Sequence, residues 1–118
     1  MHITLVLPVF NEERNIKKVI TSVKKIVNRI IVIDNNSSDN TMRLIKKLNK
    51  INLKHCYNLG KSNSLKTGCD LAVLLKTDII AFMDSDGQHK GSDLQKLIET
   101  MKKEKVDSVI GYRDNFKM

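Results

Sequence analysis

Aromatic residues are scarce in this chain: three phenylalanines, two tyrosines and no tryptophan, 4% of 118 positions. Proteins that hold single-stranded nucleic acid stack its bases on aromatic faces, and few are on offer here. Proline occurs once and no low-complexity tract interrupts the chain, which excludes proline-rich linkers and recognition segments. Only two cysteines are present, Cys56 and Cys69. Their spacing suits neither a Cys-x-x-Cys redox pair nor a zinc site, so both read as structural thiols. No apolar run approaches the ~20 residues that a membrane-crossing helix needs. The opening MHITLVLPVF is apolar early but lacks a basic lead and a small-residue cleavage site. It reads as a first strand and not a signal peptide, with a cytoplasmic location as the default.

Positive charge, by contrast, is plentiful. Lysine and arginine number 21 against 13 acidic residues, a formal net charge of +8. That balance favours anionic partners: phosphorylated substrates, acidic lipid headgroups or nucleic acid. The lysines, however, fall in scattered pairs (Lys17-Lys18, Lys24-Lys25, Lys46-Lys47, Lys102-Lys103), placed where helices would show their solvated faces. With so few aromatics beside them, nucleic acid is not expected as a partner. A hydrophobic content of 41% over this length supports one domain with a modest core.

The apolar pattern alternates between two kinds of element. Ile3 to Leu7 and Ile30 to Ile33 are short buried-strand runs, Ile79 to Met83 and Val106 to Ile110 are further apolar strands, and Asn52 to Tyr57 is a more mixed strand. Between them, Ile16, Val19, Ile20, Val23, Ile26 and Val27 recur at helical steps, preceded by Asn11 as a cap and by Glu12 and Glu13 in the first turn. Met42, Ile45 and Leu48 mark a second helix, Leu65 to Leu75 a third after Gly60, and Leu94, Leu97, Ile98 and Met101 a fourth. Strands alternating with helices imply right-handed crossovers. The expected fold is α/β: an open three-layer sandwich with a mostly parallel sheet, spanning residues 1–118 as a single domain.

Ligands of such sheets bind beyond the carboxyl ends of the strands. Four polar clusters fall there: Asn11-Glu12, Asp34 to Asp39, Asn58 to Asn63 and Asp84 to His89. No Gly-x-Gly-x-x-Gly follows the first strand, and no phosphate-binding Gly-x-x-x-x-Gly-Lys-Ser/Thr or Gly-x-Ser-x-Gly elbow is present. These absences exclude a dinucleotide fold, a P-loop NTPase and a serine hydrolase of the elbow type. The acid pattern also departs from a phosphoacceptor domain, which wants an acidic pair after strand one. Asp84-Ser85-Asp86 is different. Two carboxylates at alternate positions past a strand can share a hard cation whose shell is completed by phosphate oxygens and water. The bland alternative is a strand end at Asp84 followed by an Asp86-Gly87 turn, and this tripeptide alone favours it.

Taken together, LPVFNEERNI, IVIDNNSSDNT, NLGKSNSLKTG, IIAFMDSDGQH and VIGYRD resemble the nucleotide-binding half of family 2 glycosyltransferases with the GT-A, Rossmann-like fold. The branch they are most similar to contains the dolichyl-phosphate mannose and glucose synthases. The resemblance implies a metal-dependent, inverting transfer from a nucleotide-diphosphate sugar of the UDP or GDP type to a lipid phosphate or saccharide, with Mg²⁺ or Mn²⁺ as cofactor. It implies that Pro8, Phe10 and Glu12 frame the base and ribose, with Ile33, Asp34 and Asn35 in the second loop. Family members usually carry two adjacent acids at that loop, and Asn35 replaces the second. Lys61 in a Gly-Lys-Gly type turn, here with Ser62 in place of the final glycine, implies a base or phosphate contact. Asp84, Ser85 and Asp86 match the Asp-x-Asp motif, with Asp84 at the ribose or metal-bound water, Asp86 on the metal and Gln88 as a further metal-side contact. Arg113 matches an arginine facing the diphosphate, and Asp39 is expected to cap a helix.

The same resemblance implies that an acceptor site and catalytic base follow the fifth strand, where only Asp114 remains. No catalytic base is assigned. The expectation is therefore a donor-binding half truncated at its C-terminus, working at a membrane surface where its acceptor is a lipid phosphate. An exposed sheet edge at that end would favour a homodimer or a partner subunit. Two alternatives stay open: a nucleotide-binding module without turnover, and a basic protein that binds anionic surfaces.

Overall fold

A computed structural model describes residues 1–49, 51–85 and 91–109. Eight elements follow in strict alternation: β1 (Ile3–Val9), α1 (Ile16–Val23), β2 (Arg29–Asp34), α2 (Thr41–Leu48), β3 (Asn52–Lys54), α3 (Lys61–Leu74), β4 (Ile79–Phe82) and α4 (Gly91–Glu104). The strands form one sheet in the order β3-β2-β1-β4, and every pairing is parallel. This is the expected α/β architecture, with helices on both faces of a parallel sheet.

Side-chain alternation along β1 and β2 sorts the core into two layers. Ile3, Leu5, Leu7 and Val9 of β1, with Ile30 and Val32 of β2, pack against Ile16, Val19, Ile20 and Val23 of α1, Ile45 of α2 and Leu94 and Ile98 of α4. The opposite face carries Ile31, Ile33 and Ile80, which meet Leu71 and Ala72 of α3. Both faces of β1 are buried throughout its seven residues, which is why it reads as a continuous apolar run and not an alternating one.

β1 runs two residues further than the apolar pattern suggested, through Pro8 to Val9. A proline lacks the N–H that a central strand donates. It is tolerated because β4 leaves β1 early: their ladder ends at Val6↔Phe82, while β2 stays paired as far as Val9↔Asp34. The sheet therefore opens between β1 and β4 at its carboxyl end, where the chain order reverses. In open α/β sheets that is the usual ligand crevice.

Three other expectations are corrected. Asn11 does not cap α1. It adopts a left-handed backbone with φ 51°, and its Oδ1 accepts from Ser38 N at 2.8 Å, so the helix starts only at Ile16. β3 stops at Lys54, because Asp34, its last partner on β2, is also the end of that strand. Residues 106–109 form no strand; Val106 is exposed, so the apolar run there has no sheet to join among the described residues. Ile110, the expected end of that strand, lies outside them.

α3 sits close against the sheet. Its buried residues are Ser64, Gly68 and Ala72, small side chains at four-residue spacing that form one face. A Cβ on Gly68 would lie 2.2 Å from Val6 Cγ1, and Val6 is fully buried on the central strand. Gly68→Ala should therefore lower stability by about 1–3 kcal/mol through overpacking, despite the roughly 1 kcal/mol that alanine gains in helix propensity. Urea unfolding of the two proteins measures the difference.

Candidate functional site

Past the carboxyl ends of β1, β2 and β4, and against the first turn of α3, lies an open cleft of about 360 Å³. Pro8, Val9, Phe10 and Glu12 form one wall, Asp84 and Ser85 another, and Asn35, Asn58, Gly60, Lys61 and Ser64 the remainder. Seven residues singled out from the sequence are thus brought together: Pro8, Phe10, Glu12, Asn35, Lys61, Asp84 and Ser85. Ile33 and Asp34 are not; both are fully buried beneath the cleft. Asp86, Gln88 and Arg113 lie outside the described residues.

The loops after β1 and β2 are tied to one another. Asn11 N donates to Ser37 Oγ at 2.8 Å, and Glu12 N to Thr41 Oγ1 at 2.9 Å. Glu12 Oε2 accepts from Asn15 Nδ2 at 3.0 Å, which orients the carboxylate on the cleft wall. Asp39, expected to cap a helix, stands one residue before Asn40, the N-cap of α2, and accepts from Thr41 N at 2.9 Å and also from the Thr41 hydroxyl. Burial pushes its carboxyl up, but bonds from the Thr41 hydroxyl, Thr41 N–H and Glu13 N–H outweigh this and hold it below its ordinary value. Phe10 is not a core side chain: it is 46% exposed, which leaves a ring face available to a planar ligand.

Adjacent Asp34 and Asn35 have opposite fates because strand alternation sends them to opposite faces. Asp34 turns toward the α1–α2 side, where its carboxylate accepts from Ser37 N at 3.2 Å and from the Ser37 hydroxyl. Asn35 turns toward α3. Its Oδ1 accepts from Leu59 N at 2.9 Å and faces His55 Nδ1 at 3.3 Å, and its Nδ2 donates to Asn58 Oδ1 at 2.6 Å. Asn58 Oδ1 also accepts from Gly60 N at 3.0 Å. Two backbone N–H groups therefore fix both amides. Since Asn35 Oδ1 must accept, His55 donates to it from Nδ1, and Nε2 faces Thr67 Oγ1 at 3.0 Å. Asn35 consequently has an N–H to offer a ligand; its oxygen is already occupied.

Asn58 and Ser64 were missed as individual site residues. The polar cluster after β3 was the only signal for Asn58, and Ser64 is legible only once α3 is known to turn its small residues inward. Gly60 enables the join between them: its φ of 85° is a left-handed conformation that lets the chain turn from Leu59 into α3. Lys61, the first residue of α3, forms an ion pair with Asp84 Oδ1. Ser85, nearly fully buried, donates from Oγ to Pro8 O at 2.9 Å and fastens the end of β4 to β1.

A larger depression of about 710 Å³ lies between α2 and β3, lined by Met42, Arg43, Lys46, Lys47, Asn52, Leu53 and Lys54. The described residues that line it include no carboxylate and no aromatic ring. Lysines beside a short edge strand commonly serve to prevent strand-to-strand association, so the smaller cleft is the better candidate. Among the described residues no three His, Cys, Asp or Glu side chains gather as a metal cage. Asp84 is nonetheless a hard oxygen donor opening on the cleft, and one or two carboxylates plus substrate phosphates is the usual setting for Mg²⁺. The residues fit an ion carried in with a diphosphate better than a resident one.

Residues 4–118 match the model of a protein family described as glycosyl transferase family 2. An uncharacterised protein of Methanocaldococcus jannaschii is 38% identical, over 94% of this chain and 46% of its own. The UDP-N-acetylglucosamine–dolichyl-phosphate N-acetylglucosaminyltransferase of Methanococcus voltae is 31% identical, over 94% and 51% respectively. The chain thus spans about half the length of these relatives. Among solved structures, glucosyl-3-phosphoglycerate synthase of Mycobacterium tuberculosis, in complex with Mn²⁺ and UDP-glucose, superposes with a TM-score of 0.66 at 27% identity, over 85% of this chain and 39% of that one. These matches favour the transferase reading over a basic surface-binding protein.

The amide arrangement makes a direct prediction. Asn35→Asp would set a carboxylate oxygen against Asn58 Oδ1, two acceptors facing each other where one donor now stands. The variant should lose about 1–3 kcal/mol, read as a lowered midpoint in urea unfolding.

Proposed function

The chain belongs to glycosyl transferase family 2, and on that premise we propose that its cleft binds the nucleoside diphosphate of an activated sugar for transfer to a lipid phosphate. The observation that carries this reading is the meeting of Phe10, Asn35 and Asp84, from the ends of three strands, with Lys61 at the start of α3 around one cleft. Phe10 offers a ring face to the base and Asn35 an N–H to one of its acceptor atoms. Glu12 and Asp84 are hydroxyl acceptors suited to a ribose. The first turn of α3, whose N-cap makes no side-chain bond, adds the positive end of a 14-residue helix beside the diphosphate.

Mg²⁺ or Mn²⁺, when bound, would neutralise charge on the leaving diphosphate. Asp84 and Asp86 are the carboxylates proposed to hold it, with Gln88 beside them; Arg113 is proposed to face the diphosphate. Inversion would follow from direct displacement: an acceptor oxygen bonds to the anomeric carbon while the bond to the diphosphate breaks and the nucleotide takes the electron pair. A phosphate acceptor is already anionic at neutral pH, so this chemistry asks for no general base. The UDP-linked and dolichyl-phosphate relative and the Mn²⁺–UDP-glucose neighbour support this choice of donor, metal and acceptor. No helix among the described residues is long and apolar enough to cross a membrane. Because the chain spans about half of its relatives, residues 1–118 are proposed as the donor-binding domain of the complete activity.

Isothermal calorimetry with UDP, GDP and their sugars, with and without Mn²⁺, tests this reading. One nucleotide series should bind in a metal-dependent manner, and Asp86→Asn should weaken it at least about tenfold, equivalent to about 1.4 kcal/mol. Absence of nucleotide binding, or binding indifferent to both metal and Asp86→Asn, would contradict it.

A further inference from the structure

Lys61 supplies the only cationic side chain among the described residues that line the cleft, and its ammonium does not stand ready for a phosphate: it sits on Asp84. Resting on the donor-binding reading above, we infer that Lys61 is a tethered counter-ion. It neutralises Asp84 while the cleft is empty of ligand and opposes the loading of a divalent cation until a diphosphate arrives.

The physical basis is the charge balance at one carboxylate. Asp84 is held by Lys61 at Oδ1, and its side chain is one-third exposed, at 34%. A dication approaching the same carboxylate meets a like charge a few ångströms away, and that repulsion is weakly screened inside a cleft. The lysine cannot retreat far, since its backbone is the first turn of α3 and the helix is pinned to β1 at Gly68. Its side chain is flexible and 59% exposed, so a diphosphate entering the cleft gives the ammonium a second anionic partner. The nucleotide thereby removes the repulsion that the metal faced. Metal and nucleotide binding are then positively coupled through Lys61, and by linkage the coupling acts equally in both directions. The consequence is that metal and donor load together.

Manganese binding to the full chain, followed from the electron paramagnetic resonance signal of unbound Mn²⁺, reads this coupling without any activity assay. In the absence of nucleotide, Lys61→Met should bind Mn²⁺ about three- to tenfold more tightly than wild type, the range expected for removing one nearby like charge at a half-exposed site. UDP should raise the Mn²⁺ affinity of wild type by a larger factor than that of Lys61→Met. Lys61→Arg, which keeps the cation, should behave as wild type. The inference is overturned if Lys61→Met binds Mn²⁺ no more tightly than wild type, or if UDP raises the Mn²⁺ affinity of Lys61→Met by as large a factor as that of wild type. Calorimetry with UDP separates the two levels. UDP bound by wild type with no change in coupling in Lys61→Met overturns this inference alone. No UDP bound by either protein overturns the donor-binding reading and this inference with it.

Discussion

The contact between Gly68 and Val6 sets the height of α3 above the sheet, and the cleft depends on that height. Val6 is also the last β1 residue paired with β4, so the same side chain marks where the helix touches and where the sheet opens. From that fixed point α3 runs back about two turns to its start at Lys61. Lys61 arrives over Asp84 because both ends of the span are held, one by the helix and the other by Ser85 on the Pro8 carbonyl. A side chain larger than hydrogen at position 68 would lift the helix, and the ion pair across the cleft would be the first polar contact to stretch.

Polar groups around the cleft divide into those that build it and those that face it. Asp34, Ser37, Asp39 and Thr41 are committed to one another and to backbone N–H groups. His55 and Asn58 are committed to Asn35 and to the Gly60 turn. What faces outward is sparse by comparison: a ring at Phe10, an amide N–H at Asn35, carboxylates at Glu12 and Asp84, and the Lys61 ammonium. On net charge alone, at +8, a uniformly basic site for a diphosphate would be expected. Among the described residues, the cleft lining instead carries two carboxylates, Glu12 and Asp84, against the one ammonium of Lys61, while four cationic side chains line the α2–β3 depression.

The sequence pattern was most legible where burial is complete. β1, β2 and the apolar face of α1 follow from runs and spacings of Ile, Val and Leu; β4 was legible as an apolar run although only Ile79 of it is buried. Convergence of polar clusters at one sheet edge followed from topology alone. Legibility failed where the controlling group is small or distant. α3 faces the sheet through Ser64, Gly68 and Ala72, while Val73 and Leu74 point to solvent, so its apolar residues do not mark its buried face. Asn11 has the composition of a helix cap, but the Ser38 N–H claimed its side chain. Asp34 and Asn35 are neighbours in sequence, and only strand register shows that one is structural and the other lines the cleft. The resemblance to a known family supplied the identities of the loops; the hydrogen bonds at Asn35 and the ion pair at Asp84 are visible only in three dimensions.

The central claim is that four loops form one nucleotide site at the β1–β4 opening. A ¹H–¹⁵N correlation spectrum titrated with UDP or GDP in the presence of Mg²⁺ tests it most directly. The account predicts shifts concentrated at Phe10 to Glu12, Asn35, Asn58 to Ser64 and Asp84-Ser85. Shifts centred instead on Arg43, Lys46, Lys47 and Lys54, with the cleft unperturbed, would contradict it.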